Sequence, residues 1–411
     1  MNNQKQLIRF ATVGSVDDGK STLIGRLLLD SKSIFEDQLK SVEKVSANNE
    51  IDLALFTDGL KEERDRGITI DVAYRYFSTP KNKFIIADSP GHIEFTRNMF
   101  TAVSTSNAII VLIDARNGIV EQTIRHTFIA SLLNVDHAIV CINKMDLVNY
   151  SEKTFTRVVN EFEYLLSETE LQNITYIPTS AIKGDNIVEC SKNMDWYNGA
   201  PLLNVLETLN TFNNVKNDNA RFPVQTIIES NDYKGYAGRI VSGVFEVDDS
   251  VTVLPSGINA KIKSINAFEK KLTKAYAPMS VLITLDNDMN ISRGDMIVQE
   301  KKQSKLCKNI EVVLCWLSDD PLSENTRLLI QHTTARQEVA IEEVVYKINI
   351  DSLKKDYQDK SMRVNDICRV NLKTAKPLIL DPYKENKSTG SFILIDERTK
   401  NTVGAGVILK R

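Results

Sequence analysis

The sequence predicts an α/β domain built on a mostly parallel sheet with helices on both faces, followed by two small antiparallel β-barrels. Three observations carry this expectation. Up to about residue 210, short apolar runs alternate with longer stretches of helical period, the pattern of repeated β-α units. The stretch NTFNNVKNDNA at 210–220 is rich in Asn and poor in large apolar residues, so it reads as a surface connection between domains. Beyond it, strand-like pieces separated by Gly, Pro, Asn and Asp turns continue to the C-terminus with hardly any helical period.

In the first region strands are expected over 7–13, 70–79, 84–88, 108–113, 137–142 and 175–179, with helices starting near Lys20, Glu94, Val120, Ser151 and Pro201. The β-rich run IDVAYRYFST meets a KNK turn before FIIAD, which suggests a hairpin and therefore one antiparallel edge on the sheet. The second region holds FPVQTII, GRIVSGVF, DSVTVLP and SVLITL. After a charged bridge, KKQSK at 301–305, the β texture resumes with NIEVVLCWL, RLLIQH, EVVYKINI, ICRVNLK and SFILID. The domains are accordingly expected at 1–215, 216–305 and 306–411. No internal repeat of solenoid type is visible.

The 411 residues are enough for two or three domains, each with its own core. Hydrophobic residues at 42% and charged residues at 26% place the chain among ordinary globular proteins, away from disordered ones. Lys plus Arg 51 against Asp plus Glu 54 gives a net charge of −3, which removes any global basic excess of the nucleic-acid-binding kind and leaves only local patches open. Five cysteines, Cys141, Cys190, Cys307, Cys315 and Cys368, show no C-x-x-C and fit neither a disulfide framework nor a zinc cluster. The start MNNQKQLIRF lacks the apolar core of a signal peptide, and no apolar run approaches membrane-span length. A cytoplasmic chain with no membrane partner is the expectation.

Gly14-Ser15-Val16-Asp17-Asp18-Gly19-Lys20-Ser21 matches G-x-x-x-x-G-K-[ST] and falls between an expected strand and an expected helix, the context a P-loop requires. Glycines let the backbone curl so that successive N–H groups face phosphate oxygens, and the helix N-terminus adds partial positive charge. Lys20 is placed to pair with the β and γ phosphates, Ser21 to ligate Mg²⁺, and Thr22 to touch the α phosphate. Asn143-Lys144-Met145-Asp146 follows directly after an expected strand. A carboxylate there accepts two hydrogen bonds from the guanine ring N–H and its exocyclic amine, a donor pair that adenine lacks. Asp146 is thus the base-specificity residue, Lys144 lies along the base, and Asn143 braces the P-loop. Thr179-Ser180-Ala181 supplies backbone N–H groups for the guanine oxygen.

Asp88-Ser89-Pro90-Gly91-His92 ends another expected strand. Asp88 is placed to hold Mg²⁺ through water and Gly91 to offer its N–H to the γ phosphate. Upstream, Arg66-Gly67-Ile68-Thr69-Ile70 provides Thr69 as a second hydroxyl ligand for Mg²⁺. The two segments read as switches that tell GTP from GDP. A lone histidine is ordinarily structural, and His126, His137 and His332 keep that reading. His92 follows a γ-phosphate-sensing glycine, where the expected task is to orient the attacking water.

The set GSVDDGKS, RGITI, DSPGH, NKMD and TSA followed by two β domains resembles the translational GTPases typified by elongation factor Tu. Further stretches, among them LLLDSKSIFEDQL, TDGLKEERDRGITIDVAYRYFST, GYAGRIVSGV and DPYKENKSTGSFILID, are similar to the GTPase large subunits of bacterial ATP sulfurylase across essentially the whole chain. The resemblance implies GTP and GDP as ligands with Mg²⁺. It further implies a smaller catalytic partner subunit that makes adenosine 5′-phosphosulfate and pyrophosphate from ATP and sulfate, while this chain couples GTP hydrolysis to that reaction. Elongation factors carry histidine where this chain has Asp18 and Cys or Thr at Ser89, and Ile93-Glu94-Phe95 replaces a Glu-Gln-Tyr often found after the histidine, so the start of that switch differs in detail. A kinase domain fused to some relatives is not expected here, since no second P-loop is present. Two other functions stay open on the residues alone. One is an elongation-factor-like GTPase delivering aminoacyl-tRNA, and the other is a nucleotide switch whose barrels dock a protein target.

Overall fold

The computed structural model describes residues 5–31, 53, 71–167, 169–209, 219–230, 233–268, 270–287, 290–300, 306–323, 326–350 and 352–409. Thr69, most of the 210–220 connection and the KKQSK bridge lie outside the described residues. The chain divides near residue 211 into two compact units.

The first unit is laid down by apolar strand runs too continuous to face water on either side. β1 (Gln6–Val13), β2 (Ala73–Ser78), β3 (Asn82–Asp88), β4 (Ala108–Asp114), β5 (His137–Asn143) and β6 (Ile174–Pro178) form one sheet in the order β2-β3-β1-β4-β5-β6. All pairings are parallel except β2 with β3, the antiparallel edge. Every residue of β4 is buried, as a central parallel strand covered on both faces must be. The helices are α1 (Lys20–Asp30), α2 (Thr96–Ser104), α3 (Glu121–Leu132), α4 (Glu152–Leu166) and α5 (Leu202–Thr208). Alternation along the strands sends Ile8, Phe10, Ile110 and Leu112 into one core with Leu23, Ile24 and Leu27 of α1 and Leu202 and Leu206 of α5. Phe77 and Phe84 stack at 4.5 Å between ring centroids, with Phe10 edge-on, and so fasten the edge strand to the sheet.

One helix starts later than its sequence suggests. Residues Ile93–Phe95 form a single 3₁₀ turn, closed by the Phe95 N–H on His92 O at 3.0 Å, and α2 begins only at Thr96. The capping of α1 and α4 differs in a way that matters for the site. Ser151 caps α4 by accepting the Thr154 N–H at 3.3 Å, whereas Gly19 at the head of α1 has no side chain to do so. The first N–H groups of α1 are left for another acceptor.

The second unit contains β7 (Arg221–Ser230), β8 (Tyr233–Arg239), β9 (Val244–Glu246), β10 (Ser250–Leu254), β11 (Ile258–Ala267), β12 (Lys270–Leu272), β13 (Lys274–Tyr276), β14 (Ser280–Leu285) and β15 (Met296–Gln299). Six of these close into a ring, β7-β8-β14-β11-β10-β15, around a core that includes Phe222, Tyr236, Phe245 and Ile283. Then come β16 (Leu306–Trp316), β17 (Leu328–His332), β18 (Ala335–Ile348), β19 (Lys355–Asp356), β20 (Ile367–Ile379), β21 (Ser391–Asp396) and β22 (Thr402–Ile408). The ring β17-β21-β22-β16-β20-β18 is closed by the β17–β18 pairing, with Trp316, Val370 and Leu394 inside. Closure leaves neither barrel an open edge within its ring.

The barrels are joined by apolar and ionic contacts together. Leu254, Met296 and Val298 of the first pack with Ile379 of the second. Arg221 donates to Asp381 through Nε at 3.2 Å and Nη2 at 3.3 Å, with both side chains at most 2% exposed. Asp381 also accepts the Thr389 hydroxyl at 2.7 Å, and the Thr389 carbonyl lies 2.8 Å from His332 Nε2. Removing one member of a buried ion pair strands the other charge, a cost of about 3–5 kcal/mol. Arg221→Ala is therefore expected to lower the unfolding free energy of this unit by about that amount, and Arg221→Met combined with Asp381→Leu to recover most of it, as read by calorimetric melting.

Candidate functional site

The carboxyl ends of the parallel strands, where open α/β sheets bind ligands, carry the residues singled out by the motifs. β1 delivers the loop Gly14 to Gly19, which turns into α1 through left-handed backbone at Asp17 (φ 65°) and Gly19 (φ 95°). A Cβ on Gly19 would lie 2.6 Å from Asn143 Nδ2, so this turn admits no side chain. Val16 and Asp17 are exposed at the rim, Ser15, Ser21 and Thr22 are half-buried, and Asp18 and Lys20 are buried. Lys20 Nζ donates to Gly14 O at 3.1 Å and Ser15 O at 2.8 Å, which holds the ammonium in the curl of the loop. Burial lowers its pKa, opposed by the nearby charges of Asp88, Asp18 and Asp17. Asp18 folds back beneath the loop and accepts the Ser15 N–H at 2.6 Å. Burial raises its pKa, with Lys20 and that hydrogen bond acting the other way.

β3 brings Asp88 alongside. Asp88 Oδ1 accepts the Thr12 hydroxyl at 3.1 Å, and the Ser89 hydroxyl donates to Thr12 O at 2.5 Å, so neighbouring strand ends are tied together. Ser89, Pro90 and Gly91 are buried against the P-loop, where a Cβ on Gly91 would fall 2.5 Å from Lys20 Nζ and 2.9 Å from Gly14 O. His92 is different in character, with 43% of its side chain exposed. Its Nδ1 accepts the Glu94 N–H at 3.4 Å and lies 3.8 Å from Glu94 Oε2.

β5 delivers the third loop. Asn143 donates through Nδ2 to Asp18 O at 2.8 Å, while its Oδ1 accepts the Ala181 N–H at 3.0 Å and the Thr179 hydroxyl at 3.4 Å. One amide thereby joins the P-loop, its own strand end and the loop after β6. Lys144, in left-handed backbone (φ 63°), extends its ammonium to Asp17 O and to Asp114 Oδ2, the latter at 3.0 Å. Met145 is fully buried and donates its N–H to Thr179 O at 3.1 Å. Asp146 Oδ1 accepts the Ser180 hydroxyl at 2.6 Å, which aims the carboxylate. The loops that follow β1, β3, β5 and β6 thus adjoin one another at the carboxyl end of the sheet.

Four contributors were not visible as motif residues. Thr12 orients Asp88. Arg26 of α1 donates to Ala181 O at 3.1 Å and Ile182 O at 2.5 Å, pinning the loop after β6. Asp114 and Arg116 at the end of β4 adjoin Lys144. A signal for Asp114 existed in the sequence, since a carboxylate closing a wholly apolar strand is costly without partners.

The family model "Elongation factor Tu GTP binding domain" matches residues 5–212, and "GTP-eEF1A C-terminal domain-like" matches residues 309–409. With the two barrels, these define the class: a GTP- and GDP-binding protein of the elongation factor Tu type. Sulfate adenylyltransferase subunit 1 of Bacteroides thetaiotaomicron is 45% identical over 424 aligned residues, covering 100% of this chain and 87% of the relative. The bifunctional enzyme CysN/CysC of Mycobacterium tuberculosis is 45% identical, covering 98% of this chain and 67% of its own length. The chain belongs to the sulfate adenylyltransferase subunit 1 family and is an enzyme subunit with a GTPase domain. Among solved structures, the GTP-bound GTPase-like domain of S. cerevisiae Ski7 aligns over 100% of this chain and 98% of its own at 17% identity and a TM-score of 0.53, a likeness of fold alone.

Proposed function

We propose that this chain is the GTP-hydrolysing subunit of a heterodimeric ATP sulfurylase. GTP turnover on it drives ATP plus sulfate to adenosine 5′-phosphosulfate plus pyrophosphate, with adenylyl transfer on a smaller partner subunit. The observation that carries the proposal is 45% identity over the full chain to sulfate adenylyltransferase subunit 1. A cytoplasmic location goes with these substrates. Among the described residues, no helix is long and apolar enough to cross a membrane.

In this reading the uncapped head of α1 and the curl from Gly14 to Gly19 receive the phosphates, with Lys20 countering the β and γ charge and Thr22 meeting the α phosphate. Asp146 accepts from the guanine N1–H and 2-amine, and the Ser180 and Ala181 amides face the guanine oxygen. Adenine offers no such donor pair and leaves Asp146 unpaired, which sets the selectivity. The Ser21 hydroxyl and the Asp88 carboxylate are hard oxygen donors of the kind Mg²⁺ takes, with Thr69 assigned as a third contributor. When bound there, the ion neutralises charge between the β and γ phosphates. Half-exposed His92 orients the attacking water, and the Gly91 N–H meets the γ phosphate. Loss of that phosphate changes what the segment from Asp88 to His92 binds. Coupling follows only if GTP and GDP favour different conformations, because a ligand of equal affinity for both shifts nothing.

The direct test measures GTP hydrolysis by the purified chain, alone and with the small subunit, ATP and sulfate, while pyrophosphate and adenosine 5′-phosphosulfate are followed. The expected result is turnover that rises with the partner and product that accumulates beyond the GTP-free equilibrium. GTP turnover indifferent to partner, ATP and sulfate would remove the sulfur reaction, leave the nucleotide site standing and make tRNA binding the next function to examine. His92→Ala is expected to keep GTP affinity and lose hydrolysis by roughly a hundredfold, and single-turnover rates at saturating GTP read this directly.

A further inference from the structure

Asp114 ends β4, and the parallel register places it directly across from Asn143 at the end of β5. Its side chain is 2% exposed, yet both oxygens are filled. Oδ1 accepts the Arg116 backbone N–H at 2.9 Å and Arg116 Nε at 3.0 Å. Oδ2 accepts Arg116 Nη2 at 2.7 Å and pairs with Lys144 Nζ at 3.0 Å. Burial would raise the pKa of this carboxyl, but the hydrogen bonds from Arg116 and Lys144 outweigh it and hold it at about 2, so it is an anion at any working pH.

The two cations it gathers are not buried with it. Lys144 and Arg116 keep 24% and 49% of their side chains exposed. The second acceptor of the Lys144 ammonium is Asp17 O in the P-loop, one residue from the carbonyl that Asn143 holds. The negative charge of Asp146 is the smallest of the influences that raise the Arg116 pKa, after those of Asp114. A sheet end needing only closure would be served by an apolar residue, because a buried carboxylate with two partners gives no net stability over well-packed hydrophobics. What the carboxylate adds is a fixed end for a flexible four-carbon chain.

We propose that Asp114 is a positioning residue of the guanine pocket, acting through Lys144. Gripped at its ammonium by Asp114 and Asp17 and at its root by left-handed backbone, the Lys144 stem forms a stiff wall for the face of the base. The ordering that a free lysine would undergo on binding is already done before the nucleotide arrives. Arg116 completes the arrangement by taking the remaining lone pairs of Asp114, so that the carboxylate is not left to draw Lys144 off the base. The proposal rests on the placement of guanine beside Lys144 and Asp146, and is independent of the sulfurylase reaction. Because the stem meets the ring face and not its substituents, its effect is the same for GTP, GDP and inosine triphosphate, which lacks the 2-amine.

The experiment titrates the full chain with GTP, GDP and inosine triphosphate by calorimetry for wild type, Asp114→Asn, Lys144→Met, the double variant and Asp146→Asn, with melting temperatures alongside. Asp114→Asn is expected to weaken all three nucleotides by about tenfold with an unchanged ratio of GTP to inosine triphosphate affinity, as for loss of a charge-assisted hydrogen bond. Lys144→Met keeps most of the stem but not the grip and is expected to show a similar loss, with the double variant no weaker than the weaker single one. Wild-type affinity in a folded Asp114→Asn, or losses that multiply in the double variant, would overturn the proposal. If Asp114→Asn does not fold, wild-type affinity in Lys144→Met overturns it alone. Asp146→Asn separates the two levels: a changed GTP to inosine triphosphate ratio there keeps the pocket placement standing, whereas no change removes the pocket and this proposal with it.

Discussion

The side-chain amide of Asn143 is the contact on which the loops at the carboxyl end of the sheet depend. Its three hydrogen bonds reach the carbonyl of Asp18, the N–H of Ala181 and the hydroxyl of Thr179, so loops from β1, β5 and β6 become one surface. Each loop alone is a short irregular segment with few internal restraints. Joined, they hold Asp146 in place relative to the loop from Gly14 to Gly19, and in the proposed reading a ligand that spans both meets a site that has already lost its conformational freedom. Gly19 is glycine for the same reason, since the approach of Asn143 Nδ2 leaves no room for a Cβ.

In the proposed reading, the groups around that contact receive a polyanion. The N-terminal amides of α1 carry no side-chain cap, buried Lys20 donates to the carbonyls of Gly14 and Ser15, and the buried carboxylates of Asp88 and Asp18 meet a hydroxyl and a backbone N–H. The second unit follows other rules. Its strands close into two rings, and the fully buried Arg221–Asp381 pair ties the rings where Leu254, Met296, Val298 and Ile379 meet.

Much of this was legible from the residues. The runs 108–113 and 138–142 are apolar throughout, as strands of a covered parallel sheet are, and the motifs sit at the carboxyl ends of these strands, where open α/β sheets bind ligands. The barrels were readable from turn spacing, and each ring holds six strands with shorter strands outside it. What could not be read depends on register or on distance along the chain. That Asp114 stands across from Asn143 follows from how β4 and β5 align, and Arg221 and Asp381 are separated by 160 positions. The late start of α2 at Thr96 escaped because the helical period of the sequence runs through Ile93–Phe95, where the backbone tightens after Pro90 and Gly91 into a 3₁₀ turn.

The measurement that bears most directly on the whole reading is a calorimetric titration of the purified chain with GTP, GDP and ATP in magnesium buffer. One site per chain for GTP and GDP, with ATP weaker by a hundredfold or more because Asp146 is left without its donor pair, is the expected result. ATP binding competitively and with comparable affinity would contradict the assignment of Asp146 and, with it, the division of labour between a GTP-driven subunit and an ATP-using partner.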